Sequence, residues 1–146
     1  MVNDYLTKCH LINKAITNKS GFYDISIKPN HSGVATMHPQ NNLLNEANNN
    51  IETIEAISYI ELDNLIKNNN KAKIIVKIDV EGFEMNVIKE LLKTQVAKEI
   101  TEIYFEVDER WVDYNDIEIL LKSNGYKFFS KTSADTSHYD VYARKQ

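Results

Sequence analysis

Residues 73–80, which read Lys-Ile-Ile-Val-Lys-Ile-Asp-Val, constrain the fold of this 146-residue chain more than any other segment. The run is rich in β-branched side chains, which suit a pleated strand better than a helix. Its apolar residues are too continuous for a strand with one wet face, so the pattern predicts a strand of a parallel sheet covered on both sides. Glu81-Gly82 breaks the run, and Val87, Ile88, Leu91 and Leu92 then recur at helical spacing through Lys93. A buried strand feeding a helix is the repeating unit of an α/β fold. Gly82 allows the sharp backbone turn where strand gives way to helix.

The rest of the chain extends this alternation. Residues 9–16, 22–27, 103–107, 126–129 and 138–143 read as strands, and residues 60–67 and 115–123 as helices, with Gly125 as a helix stop. Residues 51–59 fit either a strand or a helix. Residues 28–50 hold Pro29, Gly33, Pro39 and many asparagines, and read as one long loop. The order predicts a single α/β domain over residues 1–146, with a mostly parallel sheet that closes on a C-terminal antiparallel hairpin.

Composition narrows what such a domain can meet. The formal net charge of −4 leaves no electrostatic footprint for nucleic acid or for an anionic membrane surface. The single cysteine, Cys9, has no partner for an internal disulfide and no second thiol for a metal site, which fits a reducing, cytoplasmic location. No apolar run approaches the ~20 residues that span a bilayer. The N-terminus is polar and lacks a signal-peptide core. His31 and His38 lie in the long loop without an acidic or cysteine partner at ligand spacing, and no metal site is expected.

In open α/β sheets, ligands sit beyond the carboxyl ends of the strands. Asp79 lies at such an end, and Asp79, Glu81 and Glu84 put three carboxylates within six residues. Glu106, at the end of the next buried strand, faces the same crevice. Plainer roles stay open beside the chemical ones. Asp79 would serve as a helix cap, and Glu81 and Glu84 would answer the helix dipole. Glu106 would be a solvated strand end. Trp111 is read as a core or rim residue before an acceptor-stacking platform.

The segment Lys77-Ile78-Asp79-Val80-Glu81-Gly82-Phe83-Glu84 resembles the Lys-Ile-Asp-Val-Glu-Gly-x-Glu signature of the FkbM methyltransferase family. Asn13 to Ile16 followed by Gly21 looks like the family's third strand and its turn. Ser32-Gly33 is similar to its small-residue loop, and Glu61-Leu62-Asp63-Asn64-Leu65 to its Leu-Asp-Asp-Leu segment. Ile103 to Val107 and Gly125-Tyr126 look like its fifth strand and the entry to its last hairpin. The likeness runs from about Cys9 to Lys145.

The resemblance implies a partial Rossmann-like methyltransferase fold with S-adenosylmethionine as cofactor. It also implies methyl transfer to a hydroxyl of a sugar or another small molecule. Asp79 and Glu81 are then the expected catalytic residues, Asp79 orienting or deprotonating the acceptor and balancing the sulfonium charge. Glu84 and Glu106 are expected to bind the acceptor, and Ala15 and Ile16 to lie near the adenine. Two positions depart from the family pattern. Glu90 stands where the family has a glycine, and no Asp-x-Gly-Ala-Asn-x-Gly loop occurs in the chain. The first two strands of the family fold therefore have no counterpart here. The chain is expected to be the C-terminal part of the domain, with a partner-dependent or non-catalytic half as the second expectation. In that case a partner chain would supply the N-terminal half.

Overall fold

Two four-stranded sheets and three helices make up the computed structural model, which describes residues 9–27, 35–37, 50–66, 72–132 and 137–146. The first sheet holds β1 (Ala15–Ile16), β2 (Gly21–Ile27), β3 (Ala35–Thr36) and β4 (Asn50–Ile57) in the order β1-β4-β2-β3. The second holds β5 (Ile74–Ile78), β6 (Ile100–Asp108), β7 (Tyr126–Lys131) and β8 (His138–Lys145) in the order β5-β6-β8-β7. The helices are α1 (Tyr59–Leu65), α2 (Glu84–Lys93) and α3 (Tyr114–Ser123).

Both sheets are mixed, which corrects the expectation of a mostly parallel sheet. Among the described residues, only β1–β4 and β5–β6 run parallel, two of the six pairings; the other four are antiparallel. The reason lies in the connections. A parallel pair needs a crossover, and α2 supplies one between β5 and β6. β2 instead pairs directly with β4, from Gly21 opposite Ala56 to Ile27 opposite Asn50. That pairing also settles residues 51–57 in favour of a strand, with Thr53 Oγ1 donating across the ladder to Asp24 Oδ1 at 3.2 Å, while Ser58 caps α1 and Tyr59 begins it. The C-terminal hairpin of β7 and β8 forms as the alternation predicts.

Within residues 73–80, Ile74–Ile78 do form a strand, β5, but it is not covered on both faces. Ile75 is 64% exposed and Lys77 is exposed, while Ile78 is buried. β5 is the edge of its sheet, so continuous hydrophobicity there does not mean a central position. The deeply buried face lies instead on β6 and β8, whose Ile103, Phe105, Val107, Val141 and Ala143 are at most 1% exposed. The expected strand at 9–16 shortens to Ala15–Ile16, and Leu11 before it is 98% exposed. Of the long loop at 28–50, residues 35–37 and Asn50 are described and carry β3 and the start of β4. His31, His38 and Ser32-Gly33 lie outside the described residues.

The core gathers around β6. Val87, Ile88 and Leu91 of α2, Ile117 and Leu121 of α3, and Tyr139, Val141 and Ala143 of β8 pack into one cluster with it. Tyr126 closes this cluster, its hydroxyl donating to the Ile100 carbonyl at 2.9 Å. α1 begins in a capping box formed by Ser58 and Glu61, and α3 at Asp113, whose side chain accepts from the Asn115 N–H at 2.8 Å. Among the described residues, no helix is long and apolar enough to cross a membrane.

Candidate active site

The carboxyl ends of β5 and β6 lie side by side, because Ile78 pairs with Phe105 in a parallel ladder. That register carries Asp79, just past β5, toward Glu106 near the end of β6. Between β5 and α2 the chain turns through Glu81 and Gly82 with φ of 51° and 99°, both left-handed. Gly82 takes such a value freely, whereas Glu81 holds it against a penalty of about 1–3 kcal/mol. Two contacts hold the turn. Thr36 Oγ1, from β3 of the other sheet, donates to the Glu81 carbonyl at 2.8 Å. From below, Glu84 Oε1 accepts from the N–H groups of Gly82 at 3.2 Å and Val80 at 3.4 Å.

This geometry presents Asp79, Glu81 and Glu106 together, with carboxylate oxygens within 4.8 Å of one another. Such a spacing is one a hard cation could bridge, and also one at which like charges raise each other's proton affinity. Burial, reinforced by Glu106 and Asp79, pushes the Glu81 carboxyl above its ordinary value. Asp79 is exposed and takes an ion pair from Lys77 at 2.8 Å; residues two apart on a strand share a face. Glu84 is placed elsewhere. It is 1% exposed and sits under the turn, outside the crevice. Burial raises its carboxyl despite the backbone N–H groups that stabilise the charge, and its Oε2 meets no hydrogen-bond partner among the described residues.

Beside the turn, a cavity of about 470 Å³ opens between the two sheets. Asp79, Lys77 and Lys14 make its polar part, and Ala15 and Ile16 line it from β1. Val80 and Phe83 from the turn, with Ile54 and Ile25 from the first sheet, make most of its wall apolar. Five of the six residues expected at the site thus fall into two adjoining groups: Asp79, Glu81 and Glu106 at the strand ends, and Ala15 and Ile16 in a cavity that Asp79 shares.

A family model described as the methyltransferase FkbM domain matches residues 3–128, most of the chain. The chain belongs to the FkbM methyltransferase family. No curated protein and no solved structure matches it. Membership in this family makes the chain methyltransferase-like and implies a methyl donor.

One FkbM-site neighbour escapes sequence reasoning. His138 Nε2 lies 2.7 Å from Glu106 Oε1, and this contact raises the imidazole above its ordinary value, with Asp108 and Glu81 adding to the effect. The two residues are diagonal neighbours across the β6–β8 ladder, where Asp108 faces His138. Only the strand register reveals that, and no local pattern in the chain marks it. Glu90, which departs from the family pattern, is a 1% exposed residue of α2. It accepts from the Tyr59 N–H at 3.1 Å and pairs with Lys93, tying the start of α1 to α2.

Proposed function

We propose that this chain is an S-adenosylmethionine-dependent O-methyltransferase acting on a hydroxyl of a sugar or another small molecule. One observation carries the reading: a triad of carboxylates at the strand ends adjoins an apolar cavity of a size usual for small-molecule sites. The residues present fit the donor's adenine end, whereas the family's glycine loop for the rest of the donor has no counterpart in the chain. Ile16, Ile25 and Phe83 offer a surface suited to a purine ring, and Asp79, paired with Lys77, offers a carboxylate at the cavity's polar end, where Lys14 also lines the wall. When bound, S-adenosylmethionine supplies an electrophilic methyl group on a sulfonium. The chain's own task is to align the acceptor and take up its proton. Aligning the reactants removes much of the barrier to such a displacement. Glu81 suits proton uptake, because a raised carboxyl pKa brings it nearer to working pH. Glu106, oriented by His138, holds a second acceptor hydroxyl through a charge-assisted hydrogen bond.

Calorimetric titration with S-adenosylmethionine tests the reading. Saturable heat is expected from the chain, and its loss in Ile16→Glu, which puts a charge in the apolar wall. Absence of heat at about 1 mM donor overturns it.

A second reading is favoured by the sheet edges. β1 and β5 are both terminal strands of their sheets, and residues of both line the same cavity. Edge strands carry unpaired backbone groups that add a further strand readily. On this reading the chain is a half whose cavity receives an extended apolar segment of a partner chain, and catalysis depends on that partner. Exposed Ile75 and Leu11 near these edges support it. Self-association in light scattering that Ile75→Lys relieves is the expected outcome. A cooperatively unfolding monomer that binds the donor alone counts against it.

A further inference from the structure

Among the described residues, Glu81 is the one non-glycine position with a left-handed backbone. Strain of this kind persists only where surrounding groups over-determine it, and it gathers where function needs it. Three hydrogen bonds hold the turn. Two run to Glu84 Oε1 from the Val80 and Gly82 N–H groups, and so belong to the helix that the turn opens. The third, from the Thr36 hydroxyl to the Glu81 carbonyl, comes from 45 residues back in the chain and from the other sheet.

We propose that Thr36 is a positioning residue that couples filling of the apolar cavity to the direction of the Glu81 carboxylate. The proposal rests on the O-methyltransferase reading, in which the cavity takes the donor's adenine end and Glu81 the acceptor's proton. It deepens that reading by making the first event prepare the second.

Thr36 is 1% exposed, so water does not compete for its hydroxyl. Ala35 and Met37, on either side of it, line the cavity together with Val80 and Phe83 of the turn. β3 is the edge of its sheet and pairs with β2 through two residues, Ser26 opposite Thr36 and Ile27 opposite Ala35. So short a pairing yields more readily than the long β2–β4 ladder. A ligand packed against Ala35 and Met37 therefore sets where β3 lies, and Thr36 passes that position to the Glu81 carbonyl. While the contact holds, the Glu81 carboxyl stays beside Asp79 and Glu106. Once it opens, Glu81 can relax to a right-handed backbone, which aims the side chain elsewhere. Binding energy spent in the cavity then assembles the site at the strand ends.

The test follows the Glu81 carboxyl by carbon-13 NMR in the whole chain, with a chelator present and no methyl donor. Thr36→Val removes the hydroxyl at similar volume. Its Glu81 should titrate about half a pH unit below that of the parent, toward the ordinary 4.5, because it leaves the burial and the two acids that raise it. Thr36→Ser keeps the hydroxyl and should titrate as the parent does. Adenosine at about 5 mM should move the Glu81 resonance in the parent and in Thr36→Ser, and at least about threefold less in Thr36→Val. An unmoved titration in Thr36→Val, or an equal adenosine response in Thr36→Val and the parent, overturns the proposal. If neither Thr36→Val nor Thr36→Ala folds while Thr36→Ser does, the hydroxyl serves the fold alone and the proposal falls. Donor heat without an adenosine response at Glu81 removes the coupling alone. That response without donor heat removes the methyltransferase reading alone, and absence of both removes both.

Discussion

Two strand-to-helix turns of this chain carry a glutamate in the first turn of the helix, and they treat it in opposite ways. At the β4–α1 turn, Glu61 receives hydrogen bonds from the hydroxyls of Ser20 and Ser58, both at 2.5 Å. With the Ser58 N–H, they pull its carboxyl well below the usual range, to about 2. At the β5–α2 turn, Glu84 also receives two N–H groups, yet burial outweighs them and raises its carboxyl. Hydrogen bonds to the charged form and loss of water act in opposite directions, and the depth of the site decides between them. The first turn is a cap. The second is a support beneath exposed acids, whose left-handed backbone at Glu81 aims Asp79 and Glu81 away from the core.

Breaking the buried support should have the largest effect on this contrast. Glu84→Ala leaves the Val80 and Gly82 N–H groups without an acceptor inside the protein and should lower stability by about 2–3 kcal/mol in urea unfolding. Glu84→Gln keeps an acceptor oxygen and should stay within about 1 kcal/mol of the parent. Equal losses for the two would show that the charge, and not the acceptor, matters there.

The next effect separates ligand chemistry from capping. Asp79→Asn removes the charge at the polar end of the cavity and should weaken S-adenosylmethionine binding about tenfold in calorimetry. Glu61→Gln should leave that affinity unchanged. Parallel behaviour of the two variants would erase the functional distinction between the turns. Ser58→Ala removes the helix cap and should cost about 1 kcal/mol of stability with no change in donor affinity.

The smallest effect lies in the pH dependence of stability, where the two glutamates have opposite signs. The folded value of Glu61 is depressed, so its contribution is complete above the unfolded value near 4.5 and is lost as pH falls toward 2. The folded value of Glu84 is raised, so stability declines as pH rises from about 4.5 through that raised value. Urea midpoints measured against pH should therefore lose their acid limb in Glu61→Gln and flatten on the other side in Glu84→Gln. Slopes of the same sign in the two variants would contradict the burial argument.

How much of the site is legible before folding differs from residue to residue. Asp79 and Glu81 stand out because a β-branched run, an acidic turn and a helical period succeed one another within twenty residues or so, and each is a local signal. Glu84 belongs to the same motif, yet its inward direction depends on the left-handed turn above it. Ala15 and Ile16 enter only through family likeness, since nothing in a short apolar stretch says what it will face. His138 leaves no trace at all, because the β6–β8 register brings it to Glu106. The fold shows the same division. β6, α2, α3 and the final hairpin follow from their own periodicity, whereas the mixed sheets depend on β2 finding β4 across the long loop.

By itself, then, the amino-acid order determined the elements around Asp79, the acidic turn and membership in the FkbM family, because propensity and spacing act over neighbouring residues. Tertiary structure alone decided that β5 is an edge strand, that Glu84 is buried while Glu81 lines the crevice, and that a histidine pairs with Glu106. Those outcomes turn on desolvation and on strand register, which are set by whatever packs against a residue from far along the chain.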